Sequence, residues 1–205
     1  MPEIMISISE ISCLEVLKLA YGYVSMNEAQ PSNMGNSFLM MERALKTWTG
    51  QKDTTSTLAA LAYTYRGAGL LYLYRQTLRE LRQLDESLYS PSDQHPDLCD
   101  ALHSKIQIEV VAILQHVDRI PLNGIPESAL LFPLFLIGGE VTDPLHMDII
   151  RMRLRLMLDK RPFQNILRAL EVLEEAWGRR QSPQEGPDID WQDAIDEHAG
   201  GLLLT

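Results

Sequence analysis

LLFPLFLIGGEV, residues 130–141, is an apolar run that holds one proline and closes on two glycines, an acid and a valine. Whether it is a membrane anchor, a strand, a ligand pocket or buried scaffold decides how the rest of the chain is read. A spanning helix needs ~20 apolar residues, and the run Ala129–Gly139 is far shorter. The segment reads instead as a short helix opening near Pro126. Glu127 stands in its first turn, where the helix dipole favours an acid. Pro133 lies inside and lacks the N–H that would bond the Ala129 carbonyl, so a kink is expected there. Gly138-Gly139 ends it, because glycine takes a left-handed helix stop without strain. Leu131, Phe132, Leu134, Phe135 and Ile137 are expected to be almost wholly buried.

Outward from this run the apolar spacing is helical. Ile4, Ile8, Ile11, Leu14, Leu17, Tyr21 and Val24 follow i, i+3, i+4 steps and predict a helix to about Glu28. QPSNMGNS (30–37) breaks it, and Phe38, Met41, Leu45 and Trp48 mark a shorter second helix. Residues 57–88 form the longest helical stretch. Its first half, TLAALAYTYRGAGLLYLYRQ, carries apolar groups on nearly every face, the pattern of a centrally buried helix. Its second half is amphipathic, with Leu78, Leu81, Leu84 and Leu88 opposed by Arg79, Glu80, Arg82 and Gln83. After SPSDQHP (90–96), Leu98, Leu102, Ile106, Val110 and Ile113 stripe a helix from Pro96 to about Val117. IPLNGIP (120–126) is a turn.

Thr142-Asp143-Pro144 is a helix start. It leads a helix with Met147, Ile150, Leu154 and Met157 inward and Asp148, Arg151, Arg155 and Asp159 outward. Phe163–Trp177 is the next helix, and DIDWQDAIDEHAGGLLLT closes the chain with a short helix and an apolar tail. No segment alternates with hairpin chemistry. The expected fold is all-α, a helical bundle or array of six to eight helices in a single domain over 1–205, including one short proline-kinked buried helix.

The formal net charge of −10 argues against a phosphate-binding surface. The adjacent basic pairs Lys160-Arg161 and Arg179-Arg180 are too few for a nucleic-acid footprint or an import signal. Cys13 and Cys99 form no C-x-x-C pattern and suit a reducing compartment. The start, MPEIMISISEIS, has no basic region and no long apolar core, so no signal peptide is expected.

Candidate chemistry is sparse. Gly67-Ala68-Gly69-Leu70-Leu71-Tyr72 lacks the third glycine and the preceding strand of a dinucleotide loop, so close helix packing is the expected role. His95, Cys99 and His103 are spaced by four, which sets the outer pair ~12 Å apart along a helix, too far to share one ion unless the helix breaks. Asp188, Asp190, Asp193 and Asp196 straddle a helix start, where acids favour the dipole more simply than they hold magnesium. His116 and His146 are lone histidines, with Asp118 and Asp148 close only in sequence. Tyr63, Tyr65, Tyr72 and Tyr74 have helical spacing that favours core or groove packing over an apolar ligand cavity. No catalytic, cofactor or metal residue is named, and ligand-binding residues stay open.

Three stretches together resemble the fungal-specific transcription factor domain, the C-terminal regulatory region of zinc-cluster transcriptional regulators. They are LAYTYRGAGLLYLYRQTL (61–78), IPLNGIPESALLFPLFLIGGEVTDP (120–144), and RALEVLEEAWGRR (168–180) with DWQDAIDEHAGGLLLT (190–205). The likeness is strongest over 55–205. The zinc cluster of such regulators is lacking, the chain is shorter than the family's usual homology region, and Gly138-Gly139 stands where a Gly-Cys step is common. The resemblance implies a nuclear, non-enzymatic regulatory domain without its own DNA-binding element. Its expected partners are proteins of the transcription machinery or a related full-length regulator, with a small-molecule effector as a further partner. It implies no direct nucleic-acid contact by this chain, no membrane and no cofactor, and a cytoplasmic location if not a nuclear one. The alternative is an all-α metabolite-binding protein or biosynthetic enzyme on the same scaffold.

Overall fold

A computed structural model describes residues 31–49, 55–87, 96–122 and 125–181. Among them are six α-helices, one 3-10 helix and no strand: α1 (Pro31–Thr47), α2 (Ser56–Ser87), α3 (Pro96–Asp118), a 3-10 turn (Ile125–Leu130), α4 (Leu131–Glu140), α5 (Pro144–Lys160) and α6 (Gln164–Gln181). The chain is all-α, as the periodicity predicts. It divides into two compact units between His116 and Val117. The expected helix over 4–28 and the closing segment 190–205 lie outside the described residues.

In the first unit, α1 begins earlier than expected, since the polar stretch 31–37 is helical rather than a break. Pro31 occupies its first position, where a missing N–H costs nothing. α2 is capped by Thr55, whose Oγ1 accepts from the Leu58 amide at 3.4 Å. Residues 67–71 are buried on successive positions, so α2 is central to its unit. A Cβ on Gly67 would lie 2.6 Å from Ile113 Cγ1, which shows that this glycine serves close packing of α2 on α3. On α3 the stripe Leu102, Ile106, Val110 and Ile113 is buried. Leu98, expected in that stripe, is instead exposed in the first turn.

In the second unit, α4, α5 and α6 each pack on the other two. Leu131, Leu134, Phe135 and Ile137 are buried as predicted. Phe132 is only half-buried, a correction to the expected burial, in the first turn of a helix whose other residues are all buried. The break in helical geometry is not at Pro133, where the sequence predicts a kink, but at a 3-10 to α junction at Leu130–Leu131, two residues ahead of it. Pro133 thus sits in the first turn of α4, among N–H positions that have no intrahelical acceptor.

The glycines also do something other than expected. α4 runs through them to Glu140 and stops at the extended Val141, whose amide bonds Ile137 O. A Cβ on Gly138 would lie 2.6 Å from Leu173 Cδ1, so this glycine lets α6 approach. α5 is capped as expected, by Asp143 Oδ1 accepting from the Leu145 amide at 2.9 Å. α6 continues past Trp177 to Gln181.

Candidate functional site

Two features stand out, one in each unit. In the first, Glu42 is a buried carboxylate on α1, a helix whose other described side chains are half-buried or exposed. Its Oε1 accepts from the Tyr74 hydroxyl at 2.8 Å, from Lys46 Nζ at 2.8 Å and from Lys105 Nζ at 2.9 Å. α1, α2 and α3 therefore meet at one oxygen. Burial pushes the Glu42 carboxyl up, but the hydrogen bonds from Lys46, Lys105 and Tyr74 outweigh it and hold the group at about 2. Tyr74 is pushed well above its ordinary range by burial and by the neighbouring Glu42 charge. Glu109, also in this unit, is raised chiefly by burial.

Lys105 closes the cluster. Its ammonium lies 5.3 Å from the Tyr74 ring centroid and 5.7 Å from that of Phe38, and the two rings are 6.2 Å apart at 48°. A second aromatic group runs from Trp48 edge-on to Tyr63 at 5.6 Å, with the His116 ring stacked on Tyr63 at 5.3 Å. Arg66 lies over the Tyr63 ring at 5.4 Å. Of the four tyrosines, Tyr74 therefore joins the polar cluster and Tyr63 joins a stack, while Tyr65 and Tyr72 are half-buried.

In the second unit three polar side chains of α5 and α6 serve helix ends. Trp177 Nε1 donates to Gly138 O at 2.8 Å, and Arg180 donates to Val141 O at 3.2 Å and to Gly139 O. α6 thus supplies donors at the end of α4, where carbonyls lack intrahelical partners. Arg153 does the same for α3, donating to Ile120 O at 3.0 Å and Val117 O at 3.1 Å. Arg151, expected on the solvent face, forks onto Glu174 at 2.5 and 2.8 Å and lies 5.1 Å over the Trp177 ring. These groups are scaffold.

The outer side of α5 is different. Leu145 is 65% exposed and Met152 49%, and the half-buried Ile149 and Leu156 complete a stripe at i, i+4, i+7 and i+11. The exposed Asp148, Arg155 and Asp159 flank it. This is a second apolar face on a helix that already buries Met147, Ile150, Leu154 and Met157 on its inner side.

The remaining sequence candidates are not drawn together. A His103 ring nitrogen bonds the Cys99 carbonyl at 2.8 Å, one turn back on α3. His95 and the aspartates at 188, 190, 193 and 196 lie outside the described residues. Among the described residues no group of three His, Cys, Asp or Glu side chains is placed to hold a metal ion. His146 is half-buried on α5, and Asp148 pairs with Arg151. No helix among the described residues is long and apolar enough to cross a membrane.

Sequence reasoning passed over Glu42 and Arg153, although a signal existed for both. Glu42 stands four residues after Phe38 and three before Leu45; Arg153 stands three after Ile150 and four before Met157. A charged residue on an apolar stripe must find partners when it is buried.

The buried polar groups of this helical scaffold cap helices and hold them together. The model of the fungal specific transcription factor domain matches residues 1–205. The chain belongs to that family. The match covers the whole chain, including the N-terminal part where the sequence motifs were weakest. No curated protein and no solved structure matches it. Membership in the fungal specific transcription factor domain family supports a regulatory role in a fungal transcription factor.

Proposed function

We propose that residues 1–205 act as one regulatory domain of a zinc-cluster-type transcription factor, in the nucleus, through contact with a partner protein. The observation that carries this is the outward stripe Leu145, Ile149, Met152 and Leu156 on α5. The eleven helical steps from Leu145 to Leu156 make it ~16 Å long, three turns, the span over which an amphipathic helix places its anchors. Exposed apolar rows of this kind mark interaction sites more often than chance scatter does. The occupant is an amphipathic helix of a transcriptional partner, with basic residues beside its apolar face. The net charge of −10 favours that sign, and among the charges flanking the stripe Asp148 and Asp159 outnumber Arg155. The same charge disfavours direct contact with nucleic acid, so DNA binding is assigned to another element of the regulator.

The test uses the whole chain fused to a heterologous DNA-binding domain and read with a reporter gene. The double substitution Leu145→Glu, Met152→Glu is expected to abolish the reporter response, whichever its sign. The thermal midpoint should stay close to that of the parent chain, because both residues face solvent. An unchanged reporter response from a folded variant overturns the proposal.

A further inference from the structure

The surroundings of Lys105 have the form of a receptor for an organic cation. Two aromatic faces and one ionised carboxylate oxygen converge on its ammonium, at 5.3 and 5.7 Å from the ring centroids and 2.9 Å from Glu42 Oε1. Cations are held over ring faces within about 6 Å by the ring quadrupole. Two further contacts fix the carboxylate without help from Lys105, namely the Tyr74 hydroxyl and Lys46, both at 2.8 Å. Tyr74 and Glu42 are buried, at 1% and 8% exposure, whereas the Lys105 side chain is 38% exposed. Lys105 therefore reaches from solvent to two buried recognition groups. Its departure would leave the site standing, with its rings and its carboxylate in place.

We propose that Phe38, Tyr74 and Glu42 form a binding site for a primary alkylammonium ligand, which Lys105 occupies in cis and which a small amine enters when Lys105 swings out. The geometry also predicts selectivity. Glu42 Oε1 takes an N–H donor, which a primary ammonium supplies and a quaternary ammonium does not. Entry of the ligand exchanges one ammonium for another, so net charge at Glu42 is conserved. A tethered competitor acts at an effective concentration in the ~mM range, so the parent chain binds more weakly than a chain without Lys105. The inference rests on the first unit alone and is independent of the α5 face in the second.

The experiment titrates butylammonium chloride into the full chain and into Lys105→Ala, with sodium chloride and tetramethylammonium chloride at matched ionic strength as controls. In the parent chain the Lys105 Cε resonance, assigned by comparison with Lys105→Ala or with Lys105→Arg, is expected to shift saturably with butylammonium. The shift with either control should be no more than the salt effect. Lys105→Ala is expected to bind butylammonium at least tenfold more tightly than the parent. Adding Glu42→Gln to Lys105→Ala should remove that binding. A folded Lys105→Ala that binds butylammonium no better than the parent overturns the site. So does a parent resonance that responds alike to all three salts, and this arm decides the matter if Lys105→Ala does not fold. Equal binding of tetramethylammonium overturns the assignment of a primary amine.

Discussion

Trp177→Phe isolates the way α6 completes α4. The indole is 2% exposed, and its N–H donates to Gly138 O at 2.8 Å near the end of α4. Phenylalanine keeps an aromatic ring on the core but has no donor. The buried carbonyl then loses its partner, at about 1–3 kcal/mol. The smaller ring also leaves space in a buried site and loses part of the stacking surface under Arg151. Truncation of a buried side chain by a few atoms adds about 1 kcal/mol. The expected loss is therefore about 2–4 kcal/mol. Urea unfolding followed by far-ultraviolet circular dichroism should show a lower midpoint with an unchanged slope, since the surface exposed on unfolding is nearly the same. A loss below about 0.5 kcal/mol would refute the reasoning, because Gly138 O would then have another partner.

Glu42→Gln carries a pH signature. The folded carboxyl is held at about 2 against an ordinary value of 4.5. Its stabilisation is then fully present above about pH 4.5 and is lost as pH falls toward 2. Lys46 and Lys105 are partly solvated, which leaves about 1–3 kcal/mol for the effect. The gap between parent and variant in unfolding free energy should be open at pH 7 and largely closed by pH 2–3; a constant gap over that range would contradict the assignment. Arg153→Met strips donors from Val117 O and Ile120 O, and should destabilise the chain by about 2–4 kcal/mol in the same urea assay. Stability equal to the parent would show that those carbonyls are satisfied otherwise.

Apolar period alone located most of the helices. The stripes of α2, α3 and α5 are local, since i, i+3 and i+4 neighbours share a face whatever the rest of the chain does. The same local signal failed where a helix had little core to face. Leu98 fits the α3 stripe by spacing but lies in a first turn open to solvent, and Phe132 fits the α4 run but is only half-buried in that helix's first turn. Serine, asparagine and glycine favour turns and give the polar stretch 31–37 the composition of a break, yet it is the start of α1. Glycine's freedom of conformation makes Gly138-Gly139 look like a helix stop, but α4 runs through both, and the use of Gly138 is lack of bulk against Leu173.

The amino-acid sequence by itself determined the all-helical class, the central burial of α2, the Asp143 cap and the apolar run at 130–141. Each is settled by residues within a turn or two of one another. Only the tertiary structure decided the candidate sites and the roles of the charged residues. Glu42 meets Lys105 across 63 residues, Arg153 meets Val117 across 36, and Trp177 meets Gly138 across 39. Those pairings exist because burying the apolar stripes carries charged and polar groups inward with them. An ionised or hydrogen-bonding group taken from water must be met by a partner, and which partner is set by how the helices pack.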